Sequence, residues 1–327
     1  EGGVNGKKIE LIIADTEGDP AKSANIATKF IHKDKVVAIV GPTLTDTGMN
    51  VKKIVDSGKT PIVMTVGGDP VIMGGKFGSF TWVFKSPQRS KIAVERLFTY
   101  LKDKGLTKIA LLSAADGFGK DGLRWMEQLG PEFGIEILAK ESFGARDTDM
   151  TAQLTKAKNA APQAIVVWTT GPAGAITAKN VAQLGIGLPL FQCHGLPDPK
   201  YVELAGPASE GNRMPATKLM VADELPDTDP QKAVIQEFIK LYTEKGYAKQ
   251  FPINTHSGYA WDAIMLIVKA IEKAGTEPEA LRAEIEKTKN YVGISGVYNL
   301  TPEDHNGLNV DSMVMVQVKG GKFVMAE

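Results

Sequence analysis

The chain repeats one pattern five times: a short apolar run ends in a loop of small or hydroxyl-bearing residues, and the loop opens into a helical pattern. Read along the chain, the five segments are AIVGPTLTDTG, PIVMTVGGDP, IALLSAADGFG, IVVWTTGPAGA and LFQCHGLPDP. Such alternation is typical of βα units, in which parallel strands are joined by right-handed crossovers. Small ligands bind open α/β sheets beside the loops at the carboxyl ends of the strands, so these loops are the first candidates for a binding site.

Composition limits the kinds of partner. The 327 residues, 43% of them apolar, are enough for about two domains of ~150 residues, each with a packed core. Because 38 Lys and Arg balance 38 Asp and Glu, there is no basic excess to bind nucleic acid or an anionic membrane. The single cysteine, Cys193, excludes an internal disulfide, suits an oxidising periplasm and is expected to be a small buried residue.

No apolar run in the sequence approaches the ~18 residues that are needed to span a bilayer. The first residues, EGGVNGKK, lack the apolar region of a signal peptide. We therefore expect any export signal to be encoded upstream of this segment.

Periodicity predicts two series of strands and helices. Strands are expected at 8–14, 36–40, 61–65 and 81–84, and then, after an amphipathic helix over Ser90–Lys104, at 108–113, 135–140, 164–168 and 190–193. After Arg213 three helices follow with no strand between them, and the chain closes with a hairpin of strands 313–318 and 322–325.

Helices without strands of their own must pack on a sheet formed elsewhere in the chain. We therefore predict a first lobe from residues 1–87 and 220–292, and a second lobe from residues 88–219 and 293–327. The predicted fold class is α/β, with two doubly wound parallel-sheet lobes joined by a hinge of several strands.

Five segments, in order along essentially the whole chain, resemble the type I periplasmic substrate-binding proteins of the branched-chain amino acid transport class. They are GGVNGKKIELIIADTEGDPAKSANIATKFI, VVAIVGPTLTDTG, DGFGKDGL, HGLPDPKYVELAG and GYAWDAIMLIVKAIEKAG. The resemblance implies a flytrap whose two lobes, joined by three crossings, close over a small carboxylate and deliver it to an ABC transporter permease. It also implies an extracytoplasmic or periplasmic location, and we expect a monomer without a cofactor.

One feature departs from that family. Its members usually carry a strand and a helix before the GGVNG segment, and the loop after that strand contributes to the pocket. Either the chain is truncated or the first sheet lacks a central strand, and we expect the first of these.

In the first lobe, the strongest candidate loop is Gly41–Thr47. Thr45 is a good N-cap residue, and a helix that begins there would point backbone N–H groups and a positive dipole end at a carboxylate. The resemblance places Thr45 at the ligand carboxyl group, and its loop neighbours Thr43 and Leu44 are further candidates for ligand contact. Thr45 could also serve only as a cap, or fill both roles.

The next loop supplies the candidates Gly67, Gly68 and Asp69, of which Gly67 and Asp69 occupy ligand-contact positions by resemblance. Asp69 departs from the Ser or Thr that is usual there. Its carboxylate could receive a ligand ammonium group, or it could cap the helix that Pro70 begins, and we favour the cap.

In the second lobe, the resemblance places Phe118 over the ligand, and Thr170 and Gly171 end a strand where donors converge. Ordinary packing and turn chemistry explain these residues nearly as well. His194 stands where amino-acid binders tend to have an Asp or Glu for the ammonium group. This replacement favours an aromatic or aliphatic acid without an amine, unless Asp69 supplies the missing charge.

A rival reading is a dinucleotide site, because Gly117, Gly119 and Gly122 form GxGxxG after a strand, with Glu141 about 20 residues on. Asp116 weakens this reading, since it places an acid where a pyrophosphate would approach. The four histidines have no Cys or paired acids at metal-ligand spacing, and GxSxG, GxxxxGK[ST] and HExxH are absent from the sequence. We therefore expect no enzyme activity, no cofactor and no metal. A ligand-sensing domain of a receptor or regulator stays an alternative.

Overall fold

The computed structural model describes residues 3–144 and 146–327. Within them the strands are β1 (Ile39–Val40), β2 (Ile62–Met64), β3 (Val83–Lys85), β4 (Lys108–Ala114), β5 (Glu136–Phe143), β6 (Ala164–Trp168), β7 (Leu190–Gln192), β8 (Arg213–Thr217), β9 (Tyr291–Val292), β10 (Val297–Tyr298), β11 (Met313–Lys319) and β12 (Lys322–Met325). The α-helices are α1 (Pro20–Lys29), α2 (Thr45–Ser57), α3 (Ser90–Asp103), α4 (Gly117–Phe133), α5 (Thr151–Asn159), α6 (Pro172–Gln183), α7 (Pro199–Ala205), α8 (Lys232–Glu244), α9 (Thr255–Ala274) and α10 (Pro278–Glu286). None of the helices in residues 3–144 and 146–327 has the length and hydrophobicity of a transmembrane segment.

The chain forms two compact units, each from three segments. Unit 1 comprises the chain up to Gln88, Gly258–Gly293 and Val297–Leu308. Unit 2 comprises Arg89–Ser257, Ile294–Gly296 and Asn309–Glu327.

Unit 1 contains a parallel sheet in the order β1-β2-β3. Fully buried residues of α2, β2, β3 and the loop after β2 form its core: Val55, Ile62, Met64, Val66, Val71 and Val83. The strands are only two or three residues long, so the sheet is short along the strand direction and its loops begin close to the core.

The predicted strand at 8–14 is wrong, because no strand forms there. A strand needs a neighbour for its backbone N–H and C=O groups. Within the described residues, β1 pairs with β2 on one side and with no strand on the other. Consequently the apolar side chains of Ile9, Leu11 and Ile13 are 53%, 66% and 89% exposed.

Unit 2 is built on a seven-stranded sheet in the order β12-β11-β8-β7-β6-β4-β5. The strands from β5 to β8 are parallel, and β11 and β12 join antiparallel. Four βα repeats therefore run through this unit, as the sequence pattern predicts. The prediction missed β8, in which Pro215 pairs with Met315 of β11, because proline inside a short run argues against a strand.

Two segments belong to a different unit from the one that the predicted lobe boundaries assigned to them. Residues 220–257 belong to unit 2, where Asn254 donates to Asp198 at 3.0 Å and the Gln231 amide donates to the Ile294 carbonyl at 3.0 Å. Residues 297–308 belong to unit 1, where the Tyr298 hydroxyl donates to the Ser86 carbonyl at 2.7 Å. Such buried polar contacts fix a segment to its unit, and hydrophobic periodicity in the sequence does not predict them.

Candidate functional site

The loop between β1 and α2 presents a helix N-terminus in unit 1. Leu44, rather than Thr45, takes the N-cap position, with extended backbone (φ −86°, ψ 144°) and no side-chain cap bond, and Thr45 is the first helical residue. The Thr45 side chain is only 4% exposed, and its Oγ1 has no hydrogen-bond partner among the described residues. A buried hydroxyl without a partner costs free energy, so it is a feature that a ligand would satisfy.

Two further threonines line a recess beside this loop. The hydroxyls of Thr43 and Thr65 lie 2.9 Å apart, and Thr65 donates to the Pro42 carbonyl at 3.2 Å. The recess has a volume of about 440 Å³, and Asp15, Thr43, Leu44 and Thr65 are among its lining residues. The predicted residues Thr43 and Leu44 therefore border a cavity at the carboxyl ends of β1 and β2.

The loop after β2 carries Gly67, Gly68 and Asp69. Gly68 takes the N-cap position of a short 3-10 helix, Asp69–Ile72, without a side-chain cap bond, so the predicted capping role of Asp69 is wrong. Both Asp69 and Lys85 are fully buried, and the Asp69 carboxylate lies 3.4 Å from the Lys85 ammonium. This pairing balances the charge of Asp69 within the protein. That the three loop residues contact a ligand stays a prediction.

A second buried lysine holds the far end of the same loop. Lys52 of α2 is 1% exposed and donates to the Pro70 carbonyl at 2.9 Å and the Met73 carbonyl at 2.7 Å. Burial lowers the pKa of Lys52 to about 8, against the opposing effect of the Asp56 carboxylate. Lys52 therefore holds the Pro70–Met73 end of the loop, whereas Lys85 holds Gly67 and Gly68.

In unit 2, three rings gather where β4, β6 and β7 end. The ring centroids of Phe118 and Trp168 lie 5.7 Å apart, those of Phe118 and His194 5.4 Å, and those of Trp168 and His194 5.3 Å. All three side chains are at least nine-tenths buried. The fold therefore brings the predicted residues Phe118 and His194 together, with Trp168 between the elements that carry them.

The remaining predicted residues of unit 2 lie in the neighbouring loops. A Cβ on Gly195 would be 3.0 Å from Thr170 Cγ2 and 3.3 Å from the Phe118 ring, so Thr170 borders the same cluster. Gly171 takes the N-cap position of α6 with φ 64°, a conformation that favours glycine.

The GxGxxG segment has a packing explanation. A Cβ on Gly119 would lie 1.9 Å from the Ala114 carbonyl oxygen, and one on Gly122 would lie 2.4 Å from the Trp168 ring. Asp116 caps α4, with its carboxylate accepting from the Gly119 N–H at 2.8 Å. Helix–strand packing therefore requires both glycines, and the helix N-terminus already holds a carboxylate, which disfavours a dinucleotide phosphate there.

Other titratable groups near the aromatic cluster are buried. Burial raises the pKa of the Cys193 thiol to about 12, and its Sγ donates to the Thr169 carbonyl at 2.9 Å. Burial also lowers the pKa of His256, while the Asp198 carboxylate opposes this effect. Cys193 therefore stays a thiol at neutral pH and is not a nucleophile. In the described part of the chain, no group of three or more His, Cys, Asp or Glu is arranged to hold a metal ion.

Sequence reasoning missed Trp168, Thr65 and Lys85. Trp168 and Thr65 each stand at the end of a predicted strand, so their position could have identified them. Lys85 follows the predicted strand 81–84 directly, and a lysine in that place reads as a solvent-facing residue.

Comparison with known proteins agrees with this architecture. The sequence model of the periplasmic binding protein family matches residues 1–322. A leucine-, isoleucine-, valine-, threonine- and alanine-binding protein of Pseudomonas aeruginosa is 26% identical over 293 residues, which are 88% of this chain and 74% of that protein.

Solved structures share the fold over almost the whole chain. An extracellular ligand-binding receptor from Rhodopseudomonas palustris HaA2 superimposes with a TM-score of 0.91 at 25% identity, covering 99% of this chain and 91% of that one. A branched-chain amino acid transporter substrate binding protein of Streptococcus pneumoniae, solved with isoleucine, gives 0.84 at 22% identity, covering 100% and 88%. Because the family model spans nearly all of the sequence and these folds agree, the chain belongs to the periplasmic binding protein family and is a solute-binding protein with the type I fold.

Proposed function

We propose that this protein binds a small organic acid and that unit 1 holds the carboxylate at the N-terminus of α2. The observation that carries the proposal is the buried Thr45 hydroxyl, which has no partner among the described residues and lies beside Gly68. Hydroxyl and backbone N–H donors at a helix N-terminus suit a carboxylate because the hydrogen bonds are charge-assisted and the helix dipole adds to them.

The first candidate ligand is a branched-chain or other small amino acid. The name of the Pseudomonas aeruginosa relative supports this class. An amino acid also needs an acceptor for its ammonium group. Asp15 is an exposed carboxylate that lines the recess of unit 1 and accepts from the Glu17 N–H at 2.8 Å, whereas Asp69 is paired with the buried Lys85.

The second candidate is an aromatic or aliphatic acid without an amine. Two observations support it: Asp69 is paired inside the protein, and the His194 ring has two aromatic neighbours. By resemblance, His194 replaces the acid that would hold an ammonium group. The buried rings of Phe118, Trp168 and His194 offer edges and faces to which a planar apolar group would pack. The ligand contacts predicted for Phe118, Thr170, Gly171 and His194 are part of this proposal.

We further propose an extracytoplasmic location, action as a monomer, and delivery of the ligand to the membrane permease of an ABC transporter. Family membership supports these proposals. Binding proteins of this kind work through closure driven by contacts that are better in the closed state. On this account the protein carries out no catalysis.

A thermal-shift screen against leucine, isoleucine, benzoate and NAD tests the proposal. A ligand at ~100 times its dissociation constant adds ~2.7 kcal/mol to the free energy of unfolding, which raises the melting temperature by a few degrees. We expect a shift with the amino acids or with benzoate, and the class that shifts identifies the ligand class. A shift with NAD alone would contradict the proposal.

A further inference from the structure

Backbone carbonyl groups of the loop after β2 accept hydrogen bonds from the ammonium groups of two buried lysines, Lys52 and Lys85. Lys85 Nζ, at the end of β3, donates to the Gly67 carbonyl at 2.7 Å, the Gln88 carbonyl at 3.2 Å and the Gly68 carbonyl at 3.4 Å. The Lys85 side chain is fully buried, and its ammonium already has these carbonyls and the Asp69 carboxylate, at 3.4 Å, as partners. Its effect on a ligand must pass through the backbone that it holds.

The short bond to the Gly67 carbonyl sets the direction of the next N–H group. The peptide between Gly67 and Gly68 is trans, and in a planar trans peptide the C=O and N–H bonds point in opposite directions. The Gly68 N–H therefore points away from the Lys85 ammonium. Gly68 is buried, and its N–H has no acceptor within residues 3–144 and 146–327.

Thr45 lies directly against the same residue. A Cβ on Gly68 would be 2.5 Å from Thr45 Oγ1, so only glycine leaves room for this approach. Two buried donors, the Gly68 N–H and the Thr45 hydroxyl, thus lie side by side, each without an acceptor from the described residues. Buried donors left in this way are rare in folded proteins, and an acceptor from a ligand would satisfy both.

We infer that Lys85 is a positioning residue for the carboxylate site: it grips the Gly67 carbonyl and so aims the Gly68 N–H, beside the Thr45 hydroxyl, at the ligand carboxylate. The Asp69 carboxylate balances the positive charge of Lys85, so the buried pair carries no net charge. This inference rests on the proposed function.

The test compares each acid with its amide, because an amide keeps the size of the ligand and lacks the carboxylate. Calorimetric titration of leucine against leucinamide, and of benzoate against benzamide, is carried out on the wild type and on the double variant Lys85→Met/Asp69→Asn, which removes both charges together. We expect at least a tenfold loss in affinity for the acid and less than a twofold change for the amide.

The matched control is Lys52→Met, which removes the other buried lysine of the same loop without touching the Gly67 carbonyl. It is expected to lower stability and to keep the wild-type ratio of acid to amide affinity. A double variant that also keeps the wild-type ratio would overturn the inference and leave the proposed function standing. A wild type that does not prefer any acid over its amide would overturn the proposed function, and the inference with it.

If the double variant does not fold, the wild type gives a second test. On adding the preferred acid, the Gly68 amide proton should move downfield in the NMR spectrum as it donates to the carboxylate, and the corresponding amide ligand should cause a much smaller change. A Gly68 signal that does not respond to the acid would contradict the inference.

Discussion

The two units place different chemistry at equivalent points of the same βα pattern. In unit 1, hydroxyls and backbone groups surround a recess, and two buried lysines hold the loop after β2. In unit 2, the corresponding strand ends meet in a packed cluster of Phe118, Trp168 and His194. The βα repeat therefore sets where loops meet at the strand ends, and a few residues there decide whether polar groups or aromatic rings gather at that point.

The difference also lies in how each loop is held. Unit 1 uses polar contacts to buried charges, which are strong when complete and costly when one partner is removed. Unit 2 uses the close approach of α4 to Trp168, where glycine leaves room for the ring. Mutations should therefore lower stability in unit 1 by removing a buried charge or its partner, and in unit 2 by changing the volume of a packed side chain.

The largest effect is expected for Lys85→Met alone. This change leaves the Asp69 carboxylate buried without its ammonium partner, and it should lower the free energy of unfolding by about 3–5 kcal/mol. Urea denaturation measures this loss, and Lys85→Met/Asp69→Asn should recover most of it. Equal losses for the single and double variants would show that the ion pair does not hold the loop through its charge.

A loss in ligand affinity is expected for Thr45→Val, which removes one charge-assisted hydrogen bond to the carboxylate. The loss should be roughly 1.5–3 kcal/mol in binding free energy. Thr47→Val is the matched control, because the Thr47 hydroxyl is already bonded to the Leu44 carbonyl at 2.7 Å. Unchanged affinity in Thr45→Val would remove this residue from the site.

A packing effect is expected in unit 2 for Gly122→Ala. The new methyl group would fall 2.4 Å from the Trp168 ring, so the variant should lose about 1–3 kcal/mol of stability and shift the tryptophan fluorescence. Gly187→Ala serves as control, because no atom lies within 4 Å of a Cβ there. If both variants behave alike, Trp168 is not held by the close approach of α4.

Ligand preference provides a subtler test of unit 2. His194→Glu places an acid where amino-acid binders tend to have one, so it should shift the preference toward amino acids over benzoate. Competition titrations with leucine and benzoate measure the ratio of affinities. An unchanged ratio would place His194 outside the determinants of specificity.

The final prediction concerns pH and Lys52. Its pKa in the folded protein is about 8, against 10.5 for the ordinary side chain, so between these values the unfolded chain binds more protons than the folded one. Stability contributed by this group should therefore rise with pH across that window. Urea denaturation of the wild type and Lys52→Met near each end of the window tests this, and a constant difference between them would contradict it.

Much of this architecture was predictable from local patterns. The parallel repeats of unit 2 and the loops that carry Thr43, Phe118 and His194 followed from apolar runs that end in small residues. The segment 8–14 has the composition of a strand, but strand formation depends on a partner that a local pattern does not reveal. The N-terminus of α2 was also predictable at this loop, although the N-cap residue is Leu44 and not the predicted Thr45.

The contacts that define the candidate site were harder to predict from the sequence. Lys85 and Asp69 are 16 residues apart, and neither has a sequence signal that marks it as buried. Charged residues are almost never fully buried unless they are paired, so sequence reasoning placed Lys85 outside the strand and treated Asp69 as a cap. Only the three-dimensional packing of β3 against the loop brings the two together.

The position of the bound carboxylate is the most direct test of the proposed site. A crystal structure with the acid that gives the largest thermal shift should place a carboxylate oxygen within ~2.7–3.1 Å of Thr45 Oγ1 and of the Gly68 backbone nitrogen. A carboxylate bound away from both donors would contradict the central claim that the N-terminus of α2 and the lysine-held loop form the anion site.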